Sequence, residues 1–195
     1  FGEGSTEEGV FHEAMNFASL KKLPIVFVCE NNLYSVYSPL SVRQPKRPLA
    51  TFARAHAMRA LKGDGNDVLA TMRLAAAAAR HARSGAGPVF LELSTYRWRE
   101  HCGPNYDNDI GYRTEAEFQK WKKRCPLKRA ERALRAAKAL RPEESAALRS
   151  EIQAEIDAAF RYAKSCPYPD KSELLTGVYA EAPAPAAIAP VKAAA

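Results

Sequence analysis

Leu23-Pro24-Ile25-Val26-Phe27-Val28-Cys29-Glu30-Asn31-Asn32 is a short, apolar, β-branched run, opened by a proline and closed by an acid and two amides. Such a run reads as a strand buried on both faces, the kind found in parallel sheets covered by helices. Its polar end is the carboxyl end, where open α/β sheets place their ligands. Upstream, Phe1-Gly2-Glu3-Gly4 reads as the end of another buried strand entering a glycine turn. A strand takes about five residues, so part of the domain is expected to precede Phe1. Ser5-Thr6-Glu7-Glu8 fits a capping box, and a helix is predicted to follow as far as Lys22. Val10, Phe11, Met15, Phe17, Ala18 and Leu20 mark its apolar side.

Downstream, residues 33–47 carry Tyr34, Tyr37, Pro39, Pro45 and basic residues without periodicity, which predicts a long ordered loop. A helix over 49–57, a short strand over 59–61 and a turn at Gly63-Asp64-Gly65 come next. Asn66 or Asp67 then caps an alanine-rich helix that runs to about Ser84 and is closed by Gly85-Ala86-Gly87. Residues 88–93 give a third strand signal. A second long loop, residues 95–111, again follows a strand's carboxyl end and is dense in Tyr, Trp, Arg, His and Asp. Helices are predicted over 114–123, 126–140 and 142–164. Residues 181–195 are almost entirely Ala and Pro and read as an extended tail. The expected organisation is an α/β domain with a largely parallel sheet over 1–113, a helical C-terminal extension over 114–180, and that tail.

A chain of 195 residues can bury one sizeable core. Its formal net charge of +7 suits an anionic partner, but charge alone does not choose among nucleic acid, a membrane surface and a phosphorylated small molecule. No apolar run approaches the roughly 20 residues that span a bilayer, and no charged-then-apolar leader opens the chain, so a soluble protein is expected. Cys29, Cys102, Cys125 and Cys166 form no C-x-x-C pair and read as free thiols in a reduced compartment, with a bacterial cytoplasm as the default.

The chemistry concentrates in two places. Gly2-Glu3-Gly4 and, after residues 5–30, Asn31-Asn32 each close a predicted strand, and adjacent parallel strands would bring them together. Glycines let a backbone approach a phosphate closely, a helix N-terminus offers free N–H groups, and Glu3 with Asn32 offers oxygens to a hard cation. These are the ingredients of a Mg²⁺-diphosphate site. Either half alone would read as an ordinary turn or loop. Cys29, Trp98 and Trp121 read as packing, and most of the basic stretches as solvated faces.

Gly-Glu-Gly-Ser-Thr-Glu-Glu-Gly and Leu23-Pro-Ile-Val-Phe-Val-Cys-Glu-Asn-Asn-Leu-Tyr34 resemble the thiamine diphosphate motif of the alpha subunits of pyruvate, branched-chain 2-oxo acid and acetoin dehydrogenases. The family pattern is Gly-Asp-Gly, a spacer of mid-twenties length, then Asn-Asn. The resemblance continues through Asp64-Gly65, Gly87-Pro88-Val89, Glu92-Leu93-Ser94-Thr95-Tyr96-Arg97 and Gly111-Tyr112-Arg113-Thr114. It covers about residues 1–180. It implies that Glu3 stands in for the family's aspartate on Mg²⁺, with Asn32 through its side chain and Tyr34 through its backbone carbonyl. It also implies that Gly4 and Ser5 meet the diphosphate, that His101 is the family's histidine in the loop near that diphosphate, and that Arg97 supports this loop.

The resemblance further implies decarboxylation of a 2-oxo acid such as pyruvate, or cleavage of acetoin, with the acyl unit passed to a lipoyl acyltransferase component. The glutamate that activates the cofactor would come from a beta subunit in an alpha2-beta2 heterotetramer. Two departures stand out. Glu3 adds a methylene to the metal-site acid, and Cys102 occupies a position where mitochondrial relatives carry a regulatory serine. Two readings from other classes stay open: a catalytically silent assembly subunit, for which Glu3 is a sign, and a basic nucleic-acid-binding module with interleaved Tyr, Trp and Arg. No nucleic-acid or membrane partner is expected on the preferred reading.

Overall fold

The computed structural model describes residues 1–178. The predicted Ala/Pro tail therefore lies outside the described residues. The chain divides into two compact units, Phe1–Arg141 and a second that begins at Pro142.

The first unit is built on β1 (Val26–Asn31), β4 (Arg59–Asp64) and β5 (Val89–Ser94), paired in the order β1-β5-β4 with every pairing parallel. This is the α/β arrangement that the apolar runs predict. β5 lies in the middle and is buried along Val89–Leu93, which is why it reads as a continuous apolar run rather than an alternating one. Phe1 and Gly2 extend the sheet beyond β1: Gly2 bridges Glu30 in parallel, and the Glu30 N–H donates to the Phe1 carbonyl at 2.8 Å. The expected strand end beside β1 is thus present. Phe11 and Met15 of α1 (Gly9–Leu20), with Phe52 and Ala53 of α3 (Ala50–Ala55), pack with Leu49 and Met58 onto Cys29 and Phe90 to form the core. Burial pushes the Cys29 thiol up to about 12, so it stays protonated and behaves as the packing residue the sequence predicts. The other three cysteines are also free.

Four local expectations are corrected. The capping box does not form: residues Glu3–Glu7 make a 3-10 turn, and α1 starts only at Gly9, with no side chain capping it. Ser5 and Glu8, the hydroxyl and carboxylate of the box, fall inside the 3-10 turn and just before α1, and the two residues between them are engaged elsewhere. Thr6 Oγ1 donates to the Glu3 carbonyl at 2.7 Å and accepts Gln44 Nε2 at 2.8 Å, and Glu7 accepts from Gln44 and Arg43. The predicted loop over 33–47 contains a hairpin, β2 (Tyr34–Ser35) with β3 (Ser38–Pro39), and one helical turn, α2 (Leu40–Arg43). β4 continues through Gly63 and Asp64 instead of turning there, because β5 keeps pairing with it up to Ser94. The third helix of the C-terminal series holds its length, but the second, α6 (Pro126–Ala136), stops short of 140.

Asp67 is the cap of α4 (Val68–His81), accepting the Ala70 N–H at 2.9 Å. Gly85 and Gly87 close the following turn with φ of 78° and 98°, values that only glycine adopts without strain. α5 (Glu115–Lys122) and α6 belong to the first unit; the second is α7 (Pro142–Ser165) and a 3-10 turn at Lys171–Leu175. Among the described residues no helix is long and apolar enough to cross a membrane.

Candidate functional site

The parallel pairing of Gly2 with β1 sets the turn after it against the residues that end β1. Glu3 is fully buried there, and its Oε2 accepts the Asn32 N–H at 3.3 Å. The two ligand-bearing motifs of the sequence therefore meet. The other oxygen, Oε1, faces Arg43 Nη2 at 2.5 Å; Arg43 Nη1 pairs with Glu7, and its Nε donates to the Ser38 carbonyl at 3.1 Å. Burial pushes the Glu3 carboxyl above its ordinary range, against the pull of its own backbone N–H, of Arg43 and of the Asn32 N–H.

Gly4 is a glycine for a spatial reason. A Cβ there would lie 2.8 Å from Ser35 Oγ and 3.0 Å from Ser35 Cβ, so the turn and the hairpin approach too closely at that point for any side chain. Ser5 follows on the exposed side, its N–H donating to the Gly2 carbonyl at 3.1 Å. The adjacent asparagines divide their work. Asn31 points inward, its Nδ2 donating to Glu92 at 3.2 Å on the central strand. Asn32 faces the turn, and its Oδ1 accepts the Tyr34 N–H at 3.0 Å. Leu33 and Val36 hold φ of 74° and 52°, which is strained for residues with branched side chains and places Tyr34 and Ser35 on a tight, fixed path.

The loop after β5 packs onto that path. Arg97 Nη2 donates to the Val36 carbonyl and to Tyr112 Oη, each at 2.9 Å. Asp107 accepts Arg113 Nη2 at 2.5 Å and Tyr112 Oη at 2.8 Å, while Arg113 Nη1 donates to the Arg97 carbonyl at 2.6 Å. Tyr34 Oη donates to Glu117 of α5 at 2.9 Å, and the Tyr34 ring meets the Tyr112 ring edge-on at 5.3 Å. Burial, followed by that bond to Glu117, raises the Tyr34 hydroxyl well above the usual phenol range, so it remains a donor. An apolar cavity of about 490 Å³ opens beside Tyr34, lined by Leu33, Pro39, Leu40 and Leu49 with Glu117 at its edge.

Of the residues singled out in the sequence, Glu3, Gly4, Asn32 and Tyr34 come together, and Arg97 joins them through Val36. His101 does not: it is exposed, and among the described residues no hydrogen bond links it to Glu3 or Asn32. The sequence reading misses Arg43, Ser35 and Glu117. No local signal marks Arg43, because the burial of Glu3 that calls for a charged partner is itself a product of the fold.

The donor set fits the groups the resemblance implies. A carboxylate, an amide oxygen and the Tyr34 carbonyl are hard oxygen donors suited to Mg²⁺. Among the described residues no cluster of three His, Cys, Asp or Glu could hold a metal, so phosphate oxygens would have to complete the coordination. Arg97 Nε and Nη1 are buried without a protein partner, as a residue waiting on an acceptor would be.

A chain with this parallel sheet and this pair of strand-end motifs belongs to the dehydrogenase E1 component family, whose model matches residues 1–172. It is 34% identical over 181 residues to the 2-oxoisovalerate dehydrogenase subunit alpha of Bacillus subtilis, covering 93% of this chain and 54% of that protein. The human testis-specific mitochondrial pyruvate dehydrogenase E1 component subunit alpha is 36% identical over 180 residues, with 92% and 45% covered. The 3-methyl-2-oxobutanoate dehydrogenase subunit alpha of Mycobacterium tuberculosis is 35% identical over 184 residues, with 92% and 48% covered. The chain spans about half the length of the curated relatives it matches.

Proposed function

We infer that this chain is the diphosphate-binding part of the alpha subunit of a thiamine diphosphate-dependent 2-oxo acid dehydrogenase component. The observation that carries this reading is the meeting of Glu3, the Gly4 turn and Asn32 at one end of a parallel sheet, in a chain of the E1 family. Bound there, thiamine diphosphate supplies carbanion chemistry through its thiazolium ring, and the protein supplies position and electrostatics.

Glu3, the Asn32 side chain and the Tyr34 carbonyl would hold Mg²⁺ against the diphosphate, while Gly4 and Ser5 meet its oxygens. Arg97 fixes the Val36 carbonyl and so the path of the hairpin beside the turn. His101 would help order the loop over the diphosphate. Pyruvate and branched-chain 2-oxo acids are the substrates to test side by side, pyruvate being the proposed one, since relatives named for each match about equally well. A beta subunit, in an alpha2-beta2 assembly, would provide the group that activates the cofactor, and a lipoyl acyltransferase would receive the acyl unit, in the cytoplasm. An acetoin dehydrogenase alpha subunit would use the same half-site.

Calorimetric titration of thiamine diphosphate, with and without Mg²⁺, tests the reading. Binding is expected only with Mg²⁺, and not in Glu3→Ala. Absence of binding even in the presence of a beta subunit would instead favour a silent assembly subunit. That second reading draws on one observation, the Arg43 guanidinium already seated on Glu3.

A further inference from the structure

Arg43 has three acceptors, and they tie it to both halves of the candidate site. Nη2 is 2.5 Å from the buried Glu3 carboxylate, Nη1 pairs with the partly exposed Glu7, and Nε donates to the Ser38 carbonyl in the hairpin. Nη1 also lies 3.5 Å from where a Cβ on Gly4 would sit, so the guanidinium lies against the glycine turn itself. The side chain is only 11% exposed.

Electrostatics sets the consequence. A divalent cation arriving alone meets a carboxylate that is already neutralised, with a like charge a few ångströms away and little water to screen it. A diphosphate changes the balance. Its oxygens offer the planar guanidinium fork new charge-assisted acceptors, which suit arginine better than a single buried carboxylate oxygen does. As Arg43 turns to them, Glu3 Oε1 is released to the cation that accompanies the diphosphate.

We propose that Arg43 is a further diphosphate-binding residue, one that holds Glu3 closed to a free divalent cation and opens it only when a diphosphate is present. The proposal rests on the reading of this end of the sheet as a Mg²⁺-diphosphate site. Toward the metal Arg43 is a positioning residue, since it acts through Glu3.

The probes are Mn²⁺ alone and preformed manganese pyrophosphate, each titrated calorimetrically into the intact chain, with thermal melting recorded for every variant. The unmodified protein is expected to bind the complex at least about tenfold more tightly than free Mn²⁺. Arg43→Met should invert this, gaining at least about tenfold for free Mn²⁺ and losing affinity for the complex. Arg43→Lys keeps the charge without the fork: it should remain closed to free Mn²⁺ yet bind the complex poorly, and it decides the matter if the methionine variant does not fold. If the unmodified protein binds the complex and both variants match it in both titrations, Arg43 is a brace and the proposal falls while the cofactor reading stands. If the unmodified protein binds neither manganese pyrophosphate nor thiamine diphosphate with Mg²⁺, the reading and the proposal fall together.

Discussion

The turn at Glu3–Glu7 and the loop between Tyr96 and Arg113 both carry buried ion pairs, yet they are wired differently. In the loop, Arg113 and Asp107 are sealed, with side chains 1% and 4% exposed, and the same carboxylate also takes the Tyr112 hydroxyl. At the turn, Arg43 is shared between the buried Glu3, the partly exposed Glu7 and a carbonyl. A pair sealed from solvent on both sides is scaffolding. A pair whose arginine is shared with a second, partly exposed carboxylate can exchange partners, and that is the arrangement a charged ligand can use. Stability should therefore depend most on the loop base, and ligand binding most on the turn.

The largest effect is expected from Asp107→Ala. It leaves the Arg113 charge buried and the Tyr112 hydroxyl without its acceptor, and removing one partner of a buried pair costs about 4 kcal/mol. Urea unfolding would register it as a lower midpoint with an unchanged slope. Glu3→Ala should cost less, about 2 kcal/mol, because Arg43 retains Glu7. It should also abolish Mg²⁺-dependent cofactor binding. If Glu3→Ala proves the more destabilising of the two, the contrast between a sealed and an exchangeable pair is wrong.

Gly4→Ala ranks third, at about 1 kcal/mol, since one methyl must push Ser35 aside. Its value lies in the rescue. Ser35→Gly removes the atoms that the new Cβ would strike, so the double variant should recover stability measured by thermal melting. Pyrophosphate affinity should recover less, because the methyl still covers the backbone that the diphosphate would approach. Full recovery of both would mean that the bare backbone at Gly4 is a packing detail with no part in binding.

What could be read from the sequence follows from how local each cause is. β1 and β5 announce themselves because burial on both faces writes an unbroken apolar run into six residues. The meeting of the glycine turn with Asn32 was legible for the same reason, since two parallel strand ends place their loops side by side. The capping box of Ser5 and Glu8 misled because the two residues between them, Thr6 and Glu7, are held by Gln44 and Arg43, 36 to 38 residues further along, which no window of eight residues contains. The hairpin at Tyr34–Pro39 gave no signal because its positive-φ positions are filled by Leu33 and Val36 rather than by glycine or asparagine. Where a turn is enforced by tertiary contacts such as Arg97 on the Val36 carbonyl, turn chemistry disappears from the sequence. Arg43 escaped notice for a related reason, sitting in a stretch without periodicity and finding its role only through the fold.

His101 offers the smallest expected change and the sharpest test of the loop's tip. The base of the loop is pinned by Arg97, Asp107 and Arg113, while His101 itself is exposed. His101→Ala should therefore move unfolding stability by no more than about 0.5 kcal/mol. Thiamine diphosphate affinity is a separate matter. If the tip folds over the diphosphate when the cofactor is bound, losing one polar contact to it should weaken binding about tenfold, with Mg²⁺ dependence intact. Unchanged affinity in calorimetry would confine the ligand-binding residues to the turn and hairpin and leave the tip as surface. A large loss of stability would mean that the histidine carries packing in the folded protein, against its exposure.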